Sequence, residues 1–169
     1  MGRHVTRFTC RVTARDDQGH IYCVPQAPTL SYDAAEVLQA FARKCALDVA
    51  HLWVMPPAVK QYLRTGDPKL REAAWGAIGG RVDRRGTSDI VAGASASSAG
   101  MALAAGSDRP HFVHADASNS AADARTAVAR NASGWGAAGG VAKCAAYQRQ
   151  SARLGRMLRT KLAGSRASP

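Results

Sequence analysis

Aromatic side chains are scarce in this sequence: Phe, Trp and Tyr make up 6% of 169 residues. That scarcity excludes a core dense in rings, and it excludes an RNA-binding sheet that stacks bases on aromatic strands. Acidic residues are also few, 12 against 23 lysines and arginines, for a net charge of +11. No apolar run approaches the roughly 18 residues that a membrane-spanning helix needs. No apolar segment of a secretory leader follows Met1-Gly-Arg-His, so a cytoplasmic protein with no membrane partner is expected. The four cysteines, Cys10, Cys23, Cys45 and Cys144, include no C-x-x-C pair. They read as reduced thiols, although Cys10 and Cys23 flank a predicted hairpin and could approach each other.

Catalytic signatures are missing too. Serine is abundant, but there is no G-x-S-x-G elbow. The glycine-rich stretches lack the G-K-[ST] of a phosphate-binding loop. Gly134-Trp-Gly-Ala-Ala-Gly139 has G-x-G-x-x-G spacing, but no strand pattern precedes it, so it is a chance match in a glycine-rich chain. The expectation is a protein without catalytic residues, metal or cofactor.

What is present divides the chain into four stretches: 1–78, 79–140, 141–163 and 164–169. The last is read as a disordered tail. Phe8, Cys10, Val12 and Ala14 alternate with Thr9, Arg11 and Thr13, the period of a half-buried strand. Asp16-Asp17-Gln18-Gly19 is turn chemistry. Ile21-Tyr22-Cys23-Val24 is the return strand, and residues 5–24 are predicted to form a β-hairpin. Val37, Phe41, Cys45, Val49 and Leu52 then follow helical spacing, so the first helix is predicted over 31–54 with Ser31 or Asp33 as cap. Pro56-Pro57 stops it. A short helix over 57–64 ends at Thr65-Gly66. Asp67 and Pro68 open a third helix, which fades at Gly79-Gly80.

Residues 76–140 hold 11 of the 16 glycines, including Gly93-Ala-Ser-Ala-Ser-Ser-Ala-Gly100. Apolar residues there show no sustained period, and each glycine costs a helix about 1 kcal/mol relative to alanine. This middle is expected to be flexible, with alanine-rich helical pieces near 121–132. Order returns over 141–163 as a basic amphipathic helix. Tyr147, Ser151, Leu154, Leu158 and Leu162 share one face, beside Cys144 and Met157, and that face is expected to dock on the helix at 31–54. The fold class is mainly α: a small helical bundle with an N-terminal hairpin and a flexible middle.

Three groups of residues invite a functional reading. Arg149, Arg153, Arg156, Arg159 and Lys161 could pair with the phosphates of a nucleic acid, or simply form a solvated face. Residues 79–169 carry 13 basic and 5 acidic side chains, so the charge belongs mainly to this half. Trp53, Tyr62 and Trp75 are core aromatics or the lining of a groove for a protein partner. His111-Phe-Val-His114-Ala-Asp116 places two imidazoles three residues apart, yet Pro110 and nearby glycines argue for a loop rather than a metal site. His51 reads as a boundary residue, and Asp48 as a solvated or salt-bridged acid with Lys44 one turn earlier.

Phe41-Ala-Arg-Lys-Cys-Ala-Leu-Asp-Val-Ala-His-Leu-Trp53 and Tyr62-Leu-Arg-Thr-Gly-Asp-Pro-Lys-Leu-Arg-Glu-Ala-Ala-Trp75 resemble alanine- and tryptophan-rich helical proteins of bacteria and phages, some of them labelled immunity proteins. Gln150-Ser-Ala-Arg-Leu154 with Met157-Leu158 is similar to their closing helix. The resemblance covers residues 30–77 and 141–162. It implies a helical array and a non-enzymatic interaction protein, of the immunity kind or from a mobile element, with nucleic-acid binding as the alternative. Where such proteins run on in alanine-rich helix, residues 76–140 turn to Gly, Ser and Arg. A linker, lost repeats or a stretch translated out of frame are the alternatives this leaves.

Overall fold

The computed structural model describes residues 11–15, 21–24, 34–79, 90–107, 112–133 and 136–166. Two compact units divide the chain, Met1–Ala34 and Ala35–Pro169. In the first, strands β1 (Arg11–Arg15) and β2 (Ile21–Val24) pair antiparallel, with Arg11 opposite Val24 and Arg15 opposite Ile21. The turn between them, and the Ser31 and Asp33 caps expected for the first helix, lie outside the described residues.

The second unit is mainly helical over its described residues. Helix α1 (Ala35–Asp48) buries Val37, Leu38, Phe41, Ala42, Cys45 and Ala46, the stripe that the spacing predicts. It is shorter than the predicted 31–54. After it comes a 3-10 turn at Ala50–Leu52, and then Trp53 adopts extended backbone. Pro56 keeps its predecessor Met55 out of helical angles, so this segment cannot join α1 to α2 as one continuous helix. Pro57 opens α2 (Pro57–Thr65), which buries Val59, Tyr62 and Leu63. Gly66 stops it in the left-handed conformation, at φ 69°, its N–H donating to the Tyr62 carbonyl. Asp67 accepts the Lys69 N–H at 2.9 Å and starts a 3-10 turn at Pro68–Leu70. That turn runs into α3 (Arg71–Gly79), where Ala74 and Ile78 are buried.

The middle, expected to be flexible with helical pieces near 121–132, is mainly helical over its described residues and far beyond those pieces. Helix α4 occupies Ile90–Ala105 and α5 occupies Val113–Ser133. These two share the most extensive helix–helix contact in the unit, and both also pack on α1. Small side chains make this possible. Ala96, Ala99, Ala102 and Ala105 of α4 and Ala117, Ala121, Ala124 and Ala127 of α5 are buried. Without bulky groups between them, the two backbones come close enough for serine hydroxyls to reach across. Ser98 Oγ donates to the Ser120 carbonyl at 2.8 Å, and Ser120 Oγ stands 2.9 Å from the Ser98 carbonyl and 3.2 Å from that of Ala42. Ser97 adds a contact of its own, donating to Asp123 Oδ2 at 2.7 Å. Satisfied in this way, the hydroxyls do not carry the penalty of unpaired buried polar groups.

Helix α6 (Ala137–Arg166) is longer than the predicted 141–163 and starts within the stretch expected to be flexible. Its 30 residues span about 45 Å. It packs on α1, as expected, and more extensively on α5, which the expectation did not include. The central core joins Phe41, Cys45 and Val49 of α1 to Ala121, Ala124 and Ala127 of α5, with Leu154 and Met157 of α6 closing one side. No helix among the described residues is long and apolar enough to cross a membrane.

Candidate interaction surface

The three aromatics expected to line a partner groove have different environments. Tyr62 is buried, its hydroxyl against the backbone of Gly106. It is a core residue of α2, and its place in an exposed groove is corrected. Trp53 is partly buried, with its indole N–H enclosed and without a hydrogen-bond partner among the described residues. Trp75 alone is open, 50% exposed on α3. The alternation of one inward and one outward ring follows from helical phase: Ala74 and Ile78 take the inner face of α3, so Trp75 falls outside it.

The five cations of α6 also separate. Arg153 forms a two-pronged pair with Asp48 of α1, at 2.8 and 3.0 Å. Asp48 is thus the salt-bridged acid of the two readings, its partner being Arg153 across the bundle. Lys161 Nζ lies 2.7 Å from Glu36 Oε2 at the other end of α1. The two bridges show that α6 runs antiparallel to α1. Arg149, Arg156 and Arg159 are exposed and make no hydrogen bond or ion pair among the described residues. The polyanion surface expected of five residues therefore has three of them available.

Gln150 is a residue whose role the spacing did not disclose. It is buried, its amide donates to the Ala121 carbonyl at 3.3 Å, and its carbonyl accepts from Arg125 at 2.7 Å. Gln150 and Arg153, one turn apart, thus grip α5 and α1 respectively. Arg125 also lies over the Tyr147 ring, 5.4 Å from its centre.

The face of α6 that touches the bundle is formed by Ala146, Gln150, Leu154 and Met157. The stripe expected to dock is turned further out: Tyr147 is 58% exposed, and Cys144, Ser151 and Leu162 are exposed as well. Val141, one turn before Cys144, is also open. Ala146 and Gln150 show why the pattern misled. A buried glutamine and a small alanine mark the inner face, and neither registers as hydrophobic spacing.

Two concavities adjoin α6. One, about 490 Å³, lies among His51, Leu52, Val128, Asn131, Arg149 and Arg153. The other, about 740 Å³, runs between the start of α1 and the end of α6. Cys45 stands behind the Asp48–Arg153 pair. Burial first, and then the Asp48 charge, push its thiol up to about 12, so it stays protonated and inert. The hydrogen bond to Asp48 in turn raises the Arg153 guanidinium above its ordinary value. His114 is exposed on α5, while His111 lies outside the described residues, as does Trp135. No cluster of potential metal ligands occurs among the described residues.

No family model matches this chain, and neither a curated protein nor a solved structure matches it.

Proposed function

We propose that this chain is a non-enzymatic helical interaction protein that binds a protein partner through the outward side of α6. The observation carrying this reading is the mismatch between what α6 offers and what the bundle uses. Residues 137–166 contain seven lysines and arginines and no acidic residue. Two of the seven, Arg153 and Lys161, form bridges to Asp48 and Glu36. Val141, Tyr147 and Leu162 are exposed apolar side chains on the same helix. Exposed aromatic and aliphatic groups among arginines are the composition of a protein interface rather than of a merely solvated face. The charge selects an acidic partner surface. The resemblance to small helical proteins labelled as immunity proteins supports the same class, and Trp75 on α3 is a second exposed anchor for it.

A photo-crosslinking amino acid placed at Tyr147 in the source cells tests this. A discrete protein adduct is expected, one that weakens as salt rises. Adducts to nucleic acid alone, or none, would sink the reading. The nucleic-acid alternative rests on Arg149, Arg156 and Arg159. It predicts a log–log salt slope of about −3 for three phosphate contacts, and loss of that slope when the three become glutamine. A cytoplasmic location and the N-terminal hairpin belong to the proposal too. The unpaired thiols of Cys45 and Cys144 support the first, and the β1–β2 pairing supports the second.

A further inference from the structure

A groove opens between α1 and α6 beside the core, lined in part by Val37 and Met157, which also pack into the bundle. Its floor is aliphatic, made by Val37, Ala40 and Met157. Its rim is charged, with Glu36, Arg156 and Lys161. At about 740 Å³ it is in the size range of clefts that enclose small ligands or several side chains of a partner. Gly164 lies at one end, where an added methyl would meet nothing within 4 Å.

The rim is unbalanced, two cations to one anion. The Glu36 and Lys161 side chains are 79% and 47% exposed and bridge each other, which leaves Arg156 as the unpaired charge of the rim. Arg156 has no partner among the described residues. The floor decides between macromolecules. Bases stack on aromatic faces, and this floor has none, whereas leucine-like side chains pack well on valine, alanine and an adaptable methionine.

We propose that this groove seats an acidic amphipathic helix of the partner protein, its apolar side chains on Val37, Ala40 and Met157 and a carboxylate on Arg156. This rests on the protein-binding reading above and adds the seat and the chemistry of the segment that fills it. Helix-in-groove docking of this kind places anchors one turn apart. Arg156 supplies the charge that fixes their register.

The test uses the full chain and a fluorescent peptide with leucines at i, i+3, i+4 and i+7 and glutamates elsewhere. Anisotropy reports binding, and the ¹³C-methyl resonance of Met157 reports its location. The peptide is expected to bind and to shift that methyl. Arg156→Glu should weaken binding about tenfold or more, as loss of a carboxylate pair and gain of a repulsion require. Gly164→Leu should weaken it similarly by filling the end of the groove. Its thermal midpoint should not fall, because leucine is the better helix former. A glutamine version of the peptide should bind about tenfold more weakly. No binding, equal binding of the glutamine peptide, an unmoved Met157 methyl, or displacement by oligo-dT at physiological salt would each overturn the proposal. If the Tyr147 cross-link to a protein persists undiminished in Gly164→Leu, the groove is wrong and the protein-binding reading stands; if no protein cross-links at all, the broader reading falls.

Discussion

The α4–α5 pair and α6 are held to the same bundle by opposite means. Between α4 and α5 the side chains are alanine, serine and glycine, and the polar contacts are hydroxyls touching the neighbouring backbone, as Ser98 and Ser120 do. Helix α6 sends long polar arms across wider gaps: Gln150 to Ala121, Arg153 to Asp48, Lys161 to Glu36. The first arrangement gains from close approach and dispersion, so it has no room for added volume. The second gains from individual reach, so each arm can be cut separately. A small-residue interface is therefore brittle toward enlargement, and a polar-armed one is graded toward truncation.

Ser120→Leu attacks the first arrangement and carries the largest expected effect. The site is fully buried where α1, α4 and α5 meet. Overpacking and the lost hydroxyl bonds together should remove about 3 kcal/mol or more, and the chain should unfold at markedly lower urea. A flexible α4–α5 region would absorb the leucine without loss. Unchanged urea unfolding, or rapid amide exchange over 90–133, would break the comparison at its root.

The same brittleness should appear where α4 ends. A methyl added at Gly106 would run into the Tyr62 hydroxyl, which is itself buried. Gly106→Ala is expected to cost about 2 kcal/mol through overpacking. Tyr62→Phe removes the obstructing oxygen, so the double substitution should recover part of that loss. A double-mutant cycle showing simple additivity would mean that the two residues do not share the space.

These two regions also explain what could be read from the residues alone. Prolines, Asp67 and Gly66 set the ends of α2 and α3, because each acts through its own backbone geometry. The α1 stripe was legible because Val37, Phe41 and Cys45 stand out against polar neighbours. Helix α5 has an equally regular inner face, Val113, Ala117, Ala121, Ala124 and Ala127. Its outer face is also rich in alanine, at Ala115, Ala122 and Ala129, so the contrast that reveals a period is missing. Helix α4 is apolar or small on every side, which removes the contrast altogether. In α6 the spacing of Tyr147, Leu158 and Leu162 was real, but the helix is rotated so that Gln150 points inward. Only the positions of Ala121 and Arg125 on another helix make that burial favourable, and a local pattern does not contain them.

Cys45 lies where the two arrangements meet, and it gives a pH-dependent measure of their joint integrity. Burial and the nearby Asp48 raise its thiol from 9.0 to about 12, outweighing the opposing influence of Arg153 and Arg125. The folded value lies above the unfolded one. Stability from this group is therefore fully present below pH 9 and is lost as pH climbs from 9 toward 12. The slope approaches about 1.4 kcal/mol per pH unit within that window. Urea titrations at pH 8, 9.5 and 10.5 should show this decline, and Cys45→Ala should flatten it despite a lower stability at pH 8. An equal slope in the variant would mean that the thiol is not shielded by the core.

The smallest expected effect is the sharpest test of the polar arms, because it compares two arginines on one helix. Arg153 and Arg156 are one turn apart, yet Arg153 is bound to Asp48 and Arg156 to nothing among the described residues. The Arg153 and Asp48 side chains keep 26% and 42% of their exposure, so water weakens the pair. Its two-pronged geometry keeps it near the upper end for such bridges. Arg153→Gln should cost about 1 kcal/mol, with the loss shrinking in high salt. Arg156→Gln should stay within about 0.5 kcal/mol at any salt, as exposed substitutions do. Partner binding should reverse the order: Arg156 is free to meet a carboxylate, while Arg153 is already taken by one. Equal losses of stability for both would show that α6 is held by its overall charge and not by specific arms. The division of its cations into structural and available sets would then have to be abandoned.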